Sequence, residues 1–79
     1  MREEILAKII EKGAYLWGKD ASELSENTTF EEMGAKSGHI TSITVALENE
    51  FDVMINYMDF KKCKTFGEAA DYVVDLMEE

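Results

Sequence analysis

Apolar positions along the chain recur mostly at helical spacing. From Arg2 to Leu16 the pairs Ile5/Ile9 and Leu6/Ile10 stack at i and i+4, which predicts a first helix with one apolar stripe. Glu3 and Glu4 fall in its first turn, where carboxylates oppose the positive end of the helix dipole. Gly13, worth about 1 kcal/mol against a helix interior, predicts loosening before Ala14, Leu16 and Trp17. After Gly18 the pattern gives way to a long polar connection, Lys19 to Thr29. Two pairs there have capping-box spacing: Asp20 with Glu23, predicting a single turn ending near Leu24, and Thr29 with Glu32, ahead of a short turn containing Phe30 and Met33.

Gly34 closes that turn. Ile40, Ile43, Leu47 and Phe51, at i, i+3, i+7 and i+11, then predict a second long helix from Ser37 to about Asp52, with Ser37 as its N-cap. The apolar stretch Val53 to Phe60 has room for one short, irregular helix. Thr65 with Glu68 makes a third capping box, opening a final helix from Phe66 to about Met77 that turns Ala69, Tyr72, Val73 and Leu76 inward. No stretch alternates with period two long enough to build a sheet. The expectation is an all-α, small four-helix bundle: three main helices, one short helix and a long first loop, in one domain spanning residues 1–79.

Composition narrows the function classes. The 79 residues carry 8 Lys+Arg against 17 Asp+Glu, a formal net charge of -9. Such a balance argues against nucleic acid, whose phosphates need a basic footprint, and for solubility and basic partner surfaces. No apolar run approaches the roughly 18 residues of a membrane span. The charged start from Met1 to Glu4 does not read as a signal peptide, and a single cysteine needs no oxidising compartment, so the cytoplasm is expected. A core this small rarely supplies more than about 3–5 kcal/mol of net stability, which disfavours a deep catalytic cleft and favours a binding or carrier module.

Isolated candidate sites are weak. His39 and Cys63 are the only histidine and cysteine, and their separation matches no metal-ligand pattern. Asp52 to Asp59 lacks the alternating acids and central glycine of a calcium loop. Cys63 lies among Lys61, Lys62 and Lys64, which could activate its thiol, but a small half-buried hydrophobe is the preferred reading. The lysines themselves read as a solvated connection able to pair with acids elsewhere. The methionines and aromatics, Met54 and Met58 among them, read as packing. Ser37 and His39, two apart at a helix start, point in different directions and do not form a nucleophile–base pair.

Ser37 stands out through its surroundings. Phe30, Met33, Gly34 and Ser37, followed by Leu47, Glu48 and Phe51, align without a gap with F-x-x-L-G-x-D-S-L and the closing L-E-x-x-F. The run resembles the acyl carrier protein family, and the tail from Thr65 to Val73 resembles that family's last helix. The resemblance implies a non-catalytic carrier with 4'-phosphopantetheine on Ser37, holding acyl groups as thioesters in fatty-acid, lipid or secondary-metabolite biosynthesis. The implied partners are a phosphopantetheinyl transferase and acyl-loading, synthase or transferase enzymes with basic docking patches, met by a monomer.

The chain departs from the pattern at the serine. Lys36 stands for the family's aspartate and Gly38 for its leucine, two positions that the transferase usually reads, and the usual proline near Asn56 is missing. No carboxylate occurs from Lys36 to Leu47, where typical fatty-acid carriers dock through acids; His39, Thr41, Ser42 and Thr44 take the exposed positions, and acidity shifts to Glu48, Glu50, Asp52 and the final helix. Glu48, Glu50 and Asp52 are accordingly the candidate docking acids. Lys36, Gly38 and His39 are expected to surround the arm, with Lys36 partly immobilising its phosphate. These features point to a specialised carrier; the second reading is an unmodified helical interaction module with a carrier-like fold.

Overall fold

The computed structural model describes residues 1–78. Four α-helices occur among them: α1, Arg2–Trp17; α2, Ser37–Phe51; α3, Tyr57–Lys61; and α4, Phe66–Glu78, with a 3-10 turn at Ala21–Glu23. α1 packs against both α2 and α4, and the short α3 packs against α2. The result is a small all-α bundle. Ile5 and Ile9 of α1, Ile43 and Leu47 of α2, Phe60 of α3, and Phe66 and Val73 of α4 are fully buried, so the i, i+3/i+4 stripes meet in one core.

α1 does not loosen at Gly13. A Cβ there would lie 3.1 Å from the Trp17 ring and 3.5 Å from Phe66, so the glycine lets two aromatic rings close over the helix. Gly18 then ends α1 in the left-handed conformation at φ 63°, as a C-terminal glycine does.

The long polar connection is held at several points. Glu23 accepts the Asp20 N–H at 3.0 Å while Asp20 accepts the Ser22 N–H at 3.1 Å. Thr29 and Glu32 exchange bonds of 2.7 and 3.0 Å. Phe30 N–H donates to Lys64 O, Phe66 N–H to Thr28 O and Gly67 N–H to Glu26 O, at 2.9–3.0 Å, tying the loop to the start of α4. Arg2 adds ion pairs to Glu26 and Asp71. At α4 itself Glu68 N–H donates to Thr65 Oγ1 at 3.0 Å, but the Glu68 carboxylate accepts from Lys64 rather than Thr65.

Three side-chain expectations change. Met54 and Met58 are not core: they are 89% and 57% exposed. The connector 53–56 alternates instead of following a helix, turning Val53 and Ile55 onto the core and Met54 and Asn56 outward. At the start of α3, Tyr57 packs on the core while Met58 is exposed. Thr44 is buried rather than exposed, and its hydroxyl donates to Thr41 O at 2.8 Å. On α4 the inward phase runs Phe66, Ala69/Ala70, Val73 and Met77, leaving Leu76 half-exposed outside the core cluster.

Candidate functional site

The turn before α2 sets the site. Gly34, at φ 66°, donates its N–H to Glu31 O, and Ala35 N–H donates to Phe30 O, both at 3.0 Å. The chain leaves this turn extended at Lys36 (φ −110°, ψ 170°), and Ile40 N–H donates to Lys36 O at 3.1 Å as the first bond of the helix. Lys36 is therefore the N-cap and Ser37 the first helical residue, so the cap falls one place earlier than the capping pattern predicts. An ammonium has no acceptor, so the Lys36 side chain cannot cap. Closure comes from the other direction: His39 Nδ1 accepts the Lys36 N–H at 3.0 Å.

That arrangement leaves the serine hydroxyl unspent. Ser37 is exposed, and its hydroxyl makes no hydrogen bond among the described residues. The amides of the first turn have no intrahelical acceptor. A Cβ built at Gly38 meets nothing within 4 Å, so the surface beside the serine is open.

His39 is half-buried, not the exposed group expected. Its ring centroid lies 5.0 Å from that of Trp17, and Trp17 stacks on Phe66 with centroids 6.3 Å apart and 22° between planes. Packing alone orients the indole, since its buried Nε1 has no hydrogen-bond partner among the described residues. The helix start carrying Ser37 is thus braced, through His39 and Trp17, against α1 and α4.

Beside Ser37 lies an open concavity of about 230 Å³, lined by buried Phe30 and Ile40, half-buried Ala35 and Tyr57, and exposed Glu31, Lys36, Ser37 and Lys61. Neither Lys36 nor Lys61 makes an ion pair among the described residues. A larger depression, about 550 Å³, lies between α1 and α2 away from Ser37; Lys8 on its wall is engaged by Glu11 at 3.0 Å and Glu50 at 3.6 Å.

The three candidate docking acids sit toward the other end of α2, roughly 16–23 Å from Ser37 at about 1.5 Å per residue. They differ in freedom. Glu48 is half-buried and accepts the Ile55 N–H at 2.9 Å; Glu50 pairs with Lys8; Asp52 is exposed in the left-handed conformation that ends α2, with no hydrogen bond or ion pair among the described residues. Cys63 is half-buried, and burial, followed by the nearby Glu68 and Asp59 carboxylates, pushes its thiol pKa up, which agrees with a packing role. No three His, Cys, Asp or Glu side chains gather into a metal site among the described residues, and none of the described helices is long and apolar enough to cross a membrane.

Two contributors escaped the sequence reading. The His39–Lys36 contact has the i, i+3 spacing of a capping box, with histidine in place of Glu or Gln, and that signal was available. Lys61 reaches the serine's surroundings only through the packing of α3 on α2, which no local pattern announces.

The family profile described as "Phosphopantetheine attachment site" matches residues 5–73. Among curated proteins the chain is 39% identical over 75 residues to the acyl carrier protein of Rubrobacter xylanophilus, covering 94% of this chain and 93% of that one. It is 33% identical over 73 residues to that of an Exiguobacterium species, covering 91% and 92%, and 39% identical over 57 residues to that of Chlamydia felis, covering 71% and 73%. The fold is that of a phosphopantetheine-bearing carrier domain. The chain belongs to the acyl carrier protein family, and membership implies a covalently attached 4'-phosphopantetheine. The residues present fit that group: an exposed, unspent hydroxyl on a braced helix start, with open surface and two free ammonium groups beside it.

Proposed function

We propose that the chain is an acyl carrier whose arm is attached through Ser37 Oγ, dedicated to a particular biosynthetic pathway of fatty acids, lipids or secondary metabolites. The observation that carries this reading is the free Ser37 hydroxyl on the first turn of α2, inside the matched region. When bound, the group supplies a terminal thiol on which acyl groups are held as thioesters. The chain's own part is to present and orient. α2 points the hydroxyl outward, the His39–Lys36 bond and the Trp17 contact keep the helix start from fraying, and the first-turn amides favour an anion beside them by about 0.3–1 kcal/mol when exposed. Among the described residues no side chain bonds the Ser37 hydroxyl, and His39 Nδ1 is occupied by the Lys36 amide, which supports a non-catalytic role.

Dedication to one pathway rests on charge. α2 has no carboxylate from Lys36 to Leu47, so docking would fall to Asp52 and Glu50, with Glu48 mainly occupied by the connector. The partners in this reading are a phosphopantetheinyl transferase and acyl-loading, synthase or transferase enzymes with basic docking patches, working with a monomer in the cytoplasm.

The test is incubation with coenzyme A and a broad-specificity phosphopantetheinyl transferase, followed by intact mass measurement of wild type and Ser37→Ala. A pantetheine-sized gain in wild type alone supports attachment at Ser37. Absence of any gain with several transferases favours the unmodified interaction module, the reading to which Lys36 and Gly38 at the transferase-facing positions point.

A further inference from the structure

We infer that Lys36 and Lys61 form a two-sided clamp for the phosphodiester at the base of the arm, an inference that rests on attachment at Ser37. The two lysines come from different elements, the N-cap of α2 and the last residue of α3, yet line the same concavity as the serine. In a chain of net charge -9, whose Arg2 and Lys8 are tied into ion pairs, these two ammonium groups are unengaged. Glu31 is the one carboxylate on the same rim, so the rim carries an excess of one positive charge.

The direction of Lys61 is set by the fold. Phe60, fully buried, anchors α3, and Asn56 caps it by accepting the Asp59 N–H at 3.1 Å. α3 therefore carries Lys61 to the concavity that Lys36 also lines, with neither lysine in an ion pair among the described residues. A phosphodiester on Ser37 would enter the concavity whose rim both lysines share, and an ammonium suits phosphate as a point charge. The first atoms of the arm are then drawn over the concavity and toward Tyr57, away from the α1–α2 face. An aspartate at position 36 would repel the same phosphate, so Lys36 changes where the arm rests as well as who attaches it.

Phosphorus NMR of the loaded protein tests the clamp, with loading verified by intact mass. The comparison is among wild type, Lys36→Gln, Lys61→Gln and the double variant, across salt from about 0.01 to 1 M, over which the Debye length falls from about 30 to about 3 Å. Wild type should show a broad phosphodiester resonance that narrows as salt rises. The double variant should be narrow throughout, and each single variant intermediate. In wild type, loading should also shift the backbone amides of Tyr57–Lys61, and Lys61→Gln should abolish that shift. Lys61→Gln carries the test should Lys36→Gln impair the transferase. Equal line widths at every salt in fully loaded wild type and Lys61→Gln, with no shift on α3, would overturn the clamp and leave attachment standing. Failure of wild type to gain mass would remove attachment at Ser37, and the clamp with it.

Discussion

His39 accepts the backbone N–H of Lys36 through Nδ1 at 3.0 Å while its ring packs on Trp17, so a single side chain both closes the first turn of α2 and joins it to α1. A ring accepting at Nδ1 carries its proton on Nε2. The residue thus serves the neighbouring serine without competing for its hydroxyl.

Replacing it separates the two roles. His39→Ala should cost about 1 kcal/mol, the typical worth of a helix-start bond, or about 4–8 °C in Tm for a domain of this size. His39→Gln restores an acceptor at the position where capping boxes use Gln, so it should recover most of that loss. Trp17 fluorescence should change in both variants, because neither restores the ring contact. Thermal unfolding by circular dichroism, read beside emission spectra, checks the pair; equal stability of His39→Ala and wild type would refute the bracing role.

Two helical glycines should respond oppositely to alanine. Gly38 has open space around its missing Cβ, and Gly38→Ala should stabilise by about 0.5–1 kcal/mol through helix propensity alone. Gly67 lies against the loop: a Cβ there would sit 3.0 Å from Glu26 O and 3.1 Å from an Arg2 nitrogen, at the point where Gly67 N–H donates to Glu26 O. Gly67→Ala should destabilise by about 1–3 kcal/mol, as overpacking does. Urea denaturation of both variants measures the contrast.

The contrast between those glycines marks what the sequence could reveal. Helices α1, α2 and α4 were legible because their apolar residues recur at local spacing, and the bonds of Asp20/Glu23 and Thr29/Glu32 were legible because each spans three residues. Gly13 read as a weak point because its reason, the Trp17 ring folded back over the helix one turn on, depends on the packing of Phe66 and His39 against that ring. Met54 and Met58 read as core because hydrophobicity does not say that residues 53–56 will alternate, nor that α3 will turn Phe60 rather than Met58 inward. At the site, Ser37 was legible from the motif around it. Its one-place shift from the N-cap and the approach of Lys61 required the packed bundle.

Glu48 should prove to be a support for the α2–α3 connector before it is a docking group. Its carboxylate accepts the part-buried Ile55 N–H at 2.9 Å, holding Val53 and Ile55 on the core. Glu48→Ala leaves that amide unpaired and should cost about 1–3 kcal/mol, with Glu48→Gln losing less because an amide oxygen still accepts. Hydrogen exchange at Ile55 is the direct reading: protection should fall in Glu48→Ala and remain largely intact in Asp52→Ala, whose carboxylate makes no hydrogen bond or ion pair among the described residues. Unchanged Ile55 exchange in Glu48→Ala would show that the connector is held by apolar packing alone.

Cys63 yields a prediction with a definite pH sign. Burial first, then Glu68 and Asp59, disfavour its thiolate, so the folded thiol pKa lies above the ordinary value of about 8.5. The flanking Lys61, Lys62 and Lys64 are exposed, where solvent screens their charge, and do not reverse that direction. A raised folded pKa means that the unfolded chain releases this proton first as pH rises. The contribution to stability is fully present below the ordinary thiol range and is lost as pH climbs through it toward the folded value. Native protein should therefore react with iodoacetamide more slowly at about pH 8.5 than the same chain in urea, where the thiol titrates near its ordinary value. Tm should also fall more steeply above that pH in wild type than in Cys63→Ala. A native alkylation rate equal to or faster than that of the unfolded chain would identify a lysine-activated thiol instead.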